Sequence, residues 1–196
     1  FYEQFGSGFI LRTYEERSLG IDNSLLGAKV LVKPVEGLTI KALSGIQRTY
    51  WDWKKNLVSG ADVELSLDQF IKPLQEKNTY ITIGGSWVNK YEKKEEVPVM
   101  VDATHYLNLP TSVNAFDVRA RLQTGGWNVL AEYAIKGQDP NYDNGFIYKY
   151  GNVSMLSASY SKKGMSVLVQ AKRSDNMSFR SQRMRNGNAA FINHLP

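Results

Sequence analysis

The feature that most limits what this chain can fold into is a period of two. Leu26, Ala28, Val30 and Val32 form an apolar row with Lys29 and Lys33 on the opposite side. Leu38, Ile40, Ala42 and Ile46 oppose Thr39, Lys41 and Gln47, and Ala61, Val63, Leu65 and Leu67 alternate with Asp62, Glu64 and Ser66. Ile81, Ile83 and Trp87 alternate with Tyr80, Thr82 and Ser86. "DVRARLQTGGWNVLAEYAIK", residues 117–136, repeats the pattern on both sides of a glycine pair, and Leu156, Ala158, Tyr160, Met165, Val167, Val169 and Ala171 carry it on around "SKKG". Successive side chains of a strand point to opposite faces, so each run predicts a strand with one oily and one wet face. Helical periodicity is scarce. The pattern predicts an all-β chain, residues 1–196 forming one unit with no internal boundary. It holds roughly nine strands of about ten residues, the length a tilted membrane-spanning strand needs.

The connections narrow the choice. In order they read as long (12–23), tight (34–37), long (49–59), medium (69–78), long (92–112), tight (124–126), long (138–151) and tight (162–164). In an up-and-down meander, alternate connections lie at opposite ends of the sheet. One end is then tight turns and the other long loops, the asymmetry of outer-membrane barrels. A soluble sandwich has no need of it.

The glycine-turn hairpin also predicts its own register. With Gly125-Gly126 as the loop, Arg119 faces Glu132, and Val118, Ala120 and Leu122 face Tyr133, Ala131 and Val129. Moving the loop to Thr124-Gly125 would set Asp117 against Glu132, a like-charge clash. Two glycines also suit the positive φ angles of a tight hairpin turn.

Alternation alone does not say which face is dry. A small soluble barrel would turn the apolar rows inward around an apolar ligand. A membrane barrel turns them to lipid, where Arg or Lys near the midplane costs about 2–4 kcal/mol. The loop asymmetry favours the second arrangement, as do Trp127 and Tyr160 beside tight turns, where a membrane girdle would lie. The polar rows then line a lumen, with Lys29, Lys41, Asp62, Glu64, Arg119, Arg121 and Glu132 as pore-lining residues.

Composition excludes several alternatives. There is no cysteine, hence no disulfide, thiolate metal site or cysteine nucleophile. The net charge of +5 is spread along the strands without a nucleic-acid-binding module. No run reaches the roughly 18 apolar residues of a transmembrane helix, and no signal peptide opens the chain. The chain begins at Phe1 inside what reads as a strand, so an internal portion of a longer precursor is expected.

"FYEQFGSGFILRTYEERSLGIDNSLLGAKV" with "GLTIKALSGIQRTYWDW", and "RMRNGNAAFINHLP" at the end, resembles a family of uncharacterised outer-membrane β-barrel proteins from the Bacteroidetes group. The resemblance implies a secreted precursor of which this chain is an internal portion, located in the bacterial outer membrane. It supplies no catalytic or binding residues.

Other constellations are weighed against plainer roles. Asp62 and Glu64 share a strand face, which suits solvated pore lining better than acid–base catalysis. His105 and His194 lie far apart without metal-ligand spacing and read as loop residues. "DPNYDNG", residues 139–145, brings Asp139, Asn141 and Asp143 to calcium-loop spacing. Its glycine falls one position late, however, and Tyr150 stands where a bidentate Glu belongs. "YWDW", residues 50–53, suits either an interfacial anchor or sugar stacking. Lys172, Arg173, Arg180, Arg183 and Arg185 form either a solvated basic loop or a site for lipopolysaccharide phosphates. Gly6 and Gly8, between Phe5, Ser7 and Phe9, mark either the close approach of another backbone or a plug, or a bend in the strand. No nucleophile motif, phosphate loop or zinc signature is present, so neither an enzyme nor a cofactor is expected.

The sequence therefore predicts a segment of an antiparallel up-and-down transmembrane β-barrel. Its expected role is a pore or passive transporter, its expected partners membrane lipid and lipopolysaccharide rather than nucleic acid. A non-transporting scaffold for surface lipoproteins or a secretion assembly is the alternative, and a soluble barrel binding an apolar ligand the second.

Overall fold

The computed structural model describes residues 1–49, 52–93, 99–100, 104–184 and 191–193, with the side chains of 49 and 52–55 also outside the description. Two short strands, β1 (Glu15–Glu16) and β2 (Ile21–Asp22), pair as a small hairpin. The remaining strands are β3 (Leu25–Val35), β4 (Leu38–Thr49), β5 (Asp52–Ser66), β6 (Tyr80–Tyr91), β7 (Ser112–Thr124), β8 (Trp127–Lys136), β9 (Gly151–Lys162) and β10 (Met165–Asp175). They form one eight-stranded sheet in which each strand pairs antiparallel with its neighbour in sequence. The up-and-down order is as the alternation predicts. The sheet is open, with β3 and β10 as its edges, so this chain does not close a barrel by itself.

Strand length is set by pairing. The polar stretch expected to be a long loop at 49–59 is mostly strand, because Leu57 pairs with both Ile46 and Tyr91 and Val58 with Lys90. A ladder on both sides outweighs the weak β propensity of Asn56 and Ser59. Tight turns at Glu36-Gly37, Gly125-Gly126 and Lys163-Gly164 occupy one end, with the medium connection that holds α1 (Lys72–Glu76). The described residues of 92–111 and residues 137–150 belong to the connections at the other end, so the asymmetry of the connections holds except between β4 and β5.

The β7–β8 register is the one the charges select: Arg119 opposes Glu132, Val118 opposes Tyr133, and Ala120 opposes Ala131. Gly125 and Gly126 take φ of 52° and 87°, the left-handed values the turn requires. The strands are also staggered. The row from Leu38, the first residue of β4, passes through Leu65, Ile83, Ala120, Ala131 and Leu156 to Ala171, well inside β10. Such progressive offset gives the open sheet a regular stagger from strand to strand.

The start of the chain is not a strand of this sheet. Residues 1–13 fold back on themselves, with a lone bridge between Gln4 and Arg12 and positive φ at Gly6 (53°) and Gly8 (91°). The chain bends at both glycines, and Gly6 also lies close against β8, since a Cβ there would stand 2.6 Å from Glu132 Oε1. This segment, with residues 177–184 and 191–193, covers one face of the sheet. Asn193 ties the two together, donating to the Phe9 and Met177 carbonyls, and the Arg12 amide donates to the Ile192 carbonyl. Phe5, Phe9, Ile10, Leu11, Met177, Phe179 and Ile192 pack against Leu43, Val58, Val88, Val113, Ala115, Ala134 and Val153 from the sheet. The hydrophobic core therefore lies on the face that also carries the charges, toward the long-loop end.

Candidate functional site: the charged inner face

On the inner face, between the terminal segments and the tight turns, lies a pocket of about 400 Å³. Lys41, Asp62, Glu64, Arg119, Arg121 and Glu132 line it together with Ser66, Thr82 and Leu130, and Gln4, Gly6 and Ser7 complete it. Six of the seven residues expected to line a lumen thus converge on one cavity. The seventh, Lys29, stands on the edge strand β3 and pairs with Glu3 at 3.3 Å.

Strand pleating explains the convergence. Asp62 pairs with Ser86 and Ser86 with Asp117, so these side chains share one face across β5, β6 and β7. Gly84, opposite Arg119, leaves the space that the guanidinium fills: a Cβ there would stand 2.8 Å from its Cζ. Arg119 spans that gap, binding Asp62 at 2.5 Å, Glu64 at 2.9 Å and Asp117 at 2.9 Å, and donating to the Ser86 hydroxyl at 2.7 Å. Its side chain is only 7% exposed. Charge-assisted bonds of this kind are stronger than neutral ones, and losing the central cation would strand buried carboxylates.

Glu132 is served differently. It accepts from the Ser7 amide at 3.0 and 3.1 Å and from the Ser7 hydroxyl at 2.5 Å. Lys41 lies 3.3 Å from Glu3. Arg121 is exposed, opposite Thr82 and Leu130, and is the lining cation most open to solvent.

The outer face is the reverse. Leu26, Val30, Val63, Ile83, Phe116, Val118, Tyr133, Leu156, Val167 and Val169 are all exposed there. Among the described residues, charges on this face are confined to strand ends, as at Lys162, Arg173 and Asp175. Trp127 and Tyr160 are paired in the β8–β9 register beside the tight turns, their ring centroids 4.9 Å apart. Toward the opposite end, Asn114 accepts from Trp87 Nε1 and from Asn89, each at 2.9 Å.

The remaining candidates are dispersed or otherwise engaged. The Asp139 carboxylate binds Lys90 at 2.5 Å and lies 3.9 Å from Lys136, all three wholly buried. Asn141 caps the short helical turn Tyr142–Asn144, and Asp143 holds Arg180 and Ser178. Among the described residues no three acidic or histidine side chains gather to hold a metal. The basic stretch is not one solvated cluster. Arg180 is buried between Asp143 and the Phe191 ring, and Arg183 is buried against Glu92 at 2.7 Å. Lys172 lies over the Phe9 ring, whereas Arg173 lies on the outer face of β10. His105 is an exposed loop residue beside Thr104. Arg185, His194, Tyr50 and Trp51 lie outside the described residues, as does the Trp53 side chain.

Sequence reading missed two contributions. One is Ser7 as the partner of Glu132, which depends on a contact 125 residues away. The other is the buried set of Lys90, Lys136, Glu92 and Asp139 at the loop end. Lys136 stands four residues from Glu132 on the same strand, so the period of two already placed it on the inner face.

No curated protein and no solved structure matches the chain. A family model does so over residues 1–196, and the chain belongs to that family of unknown function, DUF6029.

Proposed function

We propose that the eight-stranded sheet is part of the wall of an outer-membrane β-barrel, with lipid on its outer face and a polar lumen on its inner face. The observation that carries this reading is the inversion of polarity. Val118 is 58% exposed while Asp62, Asp117 and Glu132 are 1%, 2% and 3% exposed. A soluble barrel around an apolar ligand would need the opposite placement. The dimensions agree. From Asn114 to Thr124 the outer row of β7 carries no charge, and at the usual rise it runs about 33 Å. Tilted by about 40°, that covers roughly 25 Å, the height of the apolar band of such barrels.

The resemblance to Bacteroidetes outer-membrane barrels, carried by the opening and closing stretches of the sequence, supports the same location. Within the wall, the charged pocket serves as the selective part of a pore or passive transporter, acting by charge and size. One observation favours a second reading, a non-transporting scaffold: the inner face is filled at its loop end by the two terminal segments. Reconstitution of the intact protein in planar bilayers separates them. Discrete conductance whose ion selectivity changes with Arg121→Glu supports the pore, and a silent bilayer supports the scaffold. Recovery of the intact protein as a detergent-free soluble monomer would remove both.

A further inference from the structure

Arg119 is one guanidinium among four carboxyl groups. It bonds to Asp62, Glu64 and Asp117, and Glu132 is its register partner across β7 and β8. Asp62, Asp117 and Glu132 are all buried. Ion pairing with a single cation leaves buried negative charge over, and the geometry at Asp117 shows where. Asp117 Oδ1 accepts from Arg119 at 2.9 Å and from the Ser86 hydroxyl at 3.4 Å. Its second oxygen, Oδ2, is buried without a hydrogen-bond donor.

The groups that face Asp117 are few. From β5 come Asp62 and Glu64, with Lys41 of β4 beyond them, paired with Glu3. From β6 comes Ser86, and on β8 Ala134 stands directly opposite and offers no side-chain donor. Lys136 and Glu132 flank Ala134 on the same face. Lys136 is engaged elsewhere, donating to the Ser178 carbonyl beside Asp139. Ser7, from the N-terminal segment, gives its hydrogen bonds to Glu132. Glu132 itself, one diagonal step from Asp117, brings its carboxyl within hydrogen-bonding reach.

Two groups that can only accept when ionised thus meet in a site closed to solvent. As a pair of carboxylates they would repel each other, and the orphan oxygen would bear its full desolvation cost. One proton removes both penalties, because it turns one acid into a donor to the other and takes away one charge. We propose that Asp117 and Glu132 form a proton-binding site, a carboxyl–carboxylate pair that holds one proton between them at neutral pH. The proton belongs to the pair and not to either residue alone. The site goes beyond the lumen reading and does not depend on it. Within that reading it has a consequence: Glu132 lines the pocket, so the held proton removes one negative charge from the pocket wall, and its release in alkali restores that charge.

The test is infrared spectroscopy of the intact protein in detergent micelles at about pH 7, where unperturbed Asp and Glu side chains are ionised. The wild type should show the C=O stretch of a protonated carboxylic acid. Asp117→Asn and Glu132→Gln should each abolish that band, and Glu64→Gln should keep it. An amide at 117 supplies a fixed N–H to Glu132 and leaves the same net charge as the protonated pair. Asp117→Asn should therefore fold and keep the wild-type denaturant midpoint at neutral pH. The band should also be the same in sodium and in choline buffer. A wild type without the band overturns the proposal, as does a band that survives both substitutions or disappears in Glu64→Gln. A fallen midpoint or loss of folding in Asp117→Asn overturns it too, because Asp117 then serves Arg119 as an ordinary ionised partner. A band that sodium erases shows an alkali cation as the ligand of the pair and overturns the proton. These readouts need no conductance and no lipid crossing, so failure of the pore reading would show separately, as silence in the bilayer.

Discussion

Val118 and Arg119 are neighbours in sequence and opposites in environment: the valine side chain stands in the open, and the arginine is buried among three carboxylates. In a water-soluble sheet the two would exchange places. If lipid covers the outer face, a spin label at 118 should collide with oxygen and be shielded from a water-soluble relaxant. A label at 121 should behave in the reverse way. A wet 118 with a dry 121 would turn the wall inside out and return the soluble-barrel reading.

Arg119 and Arg121 share a face and should respond differently to mutation. Arg119→Ala leaves Asp62 and Asp117 buried without their cation, so it should destabilise the protein by about 3–5 kcal/mol in denaturant unfolding. Arg121→Ala, at an exposed position, should stay within about 0.5 kcal/mol of wild type. In bilayers the order reverses. If the pore reading holds, Arg121→Glu should shift selectivity toward cations with little loss of stability, because Arg121 is the lining cation most open to solvent.

The hairpin register can be fixed chemically. Ala120 and Ala131 are directly opposed, with Cβ atoms expected about 4.5–5.5 Å apart, so cysteines placed there should bridge under mild oxidation. A loop shifted to Thr124-Gly125 would set residue 120 against residue 129, and that pair would crosslink instead. The chain has no native cysteine, so any bridge is unambiguous.

Much of this was legible in advance because strand periodicity is local. The six residues that share the inner-face pocket, the pairing of Trp127 with Tyr160, and the Arg119–Glu132 register all follow from counting by twos and placing one turn. What was not legible depends on contacts distant in sequence. Residues 49–59 look like a loop until β6 supplies a partner for Leu57 and Val58. Phe5 and Phe9 alternate like a strand, but both are buried in the core against the sheet, because glycines with positive φ bend the chain between them. Arg180 and Arg183 read as part of a solvated basic loop or a phosphate site, since nothing near them in sequence announces Asp143 or Glu92.

Acid should loosen the N-terminal segment. Burial alone would raise the Glu3 carboxyl, but the charge of Lys41, the Gln4 amide and hydrogen bonds from Lys29 and Lys41 outweigh it and hold the group below its usual value of 4.5. A carboxylate depressed in this way contributes stability that is fully present above the unfolded value and is lost as pH falls through the folded one. Exchange protection across residues 1–13 should therefore decline on acidification below about pH 4.5. In Glu3→Gln that dependence should be flatter, with weaker docking at neutral pH. An identical profile in the variant would assign the acid response to other groups.

The interlock of the two terminal segments has a kinetic consequence. Every strand pair of the large sheet joins neighbours in sequence, so hairpins can zip early in folding, at little loop-closure cost. The Asn193 side chain, by contrast, reaches the Phe9 carbonyl across 184 residues. The inner core cannot be completed until the last part of this sequence has arrived. A folding chain thus has its wall before its filling, and Phe5, Phe9 and the charged rows wait exposed until residues 177–184 and 191–193 return to cover them. The slow step of maturation belongs to the two terminal segments, and the sheet is ready before them.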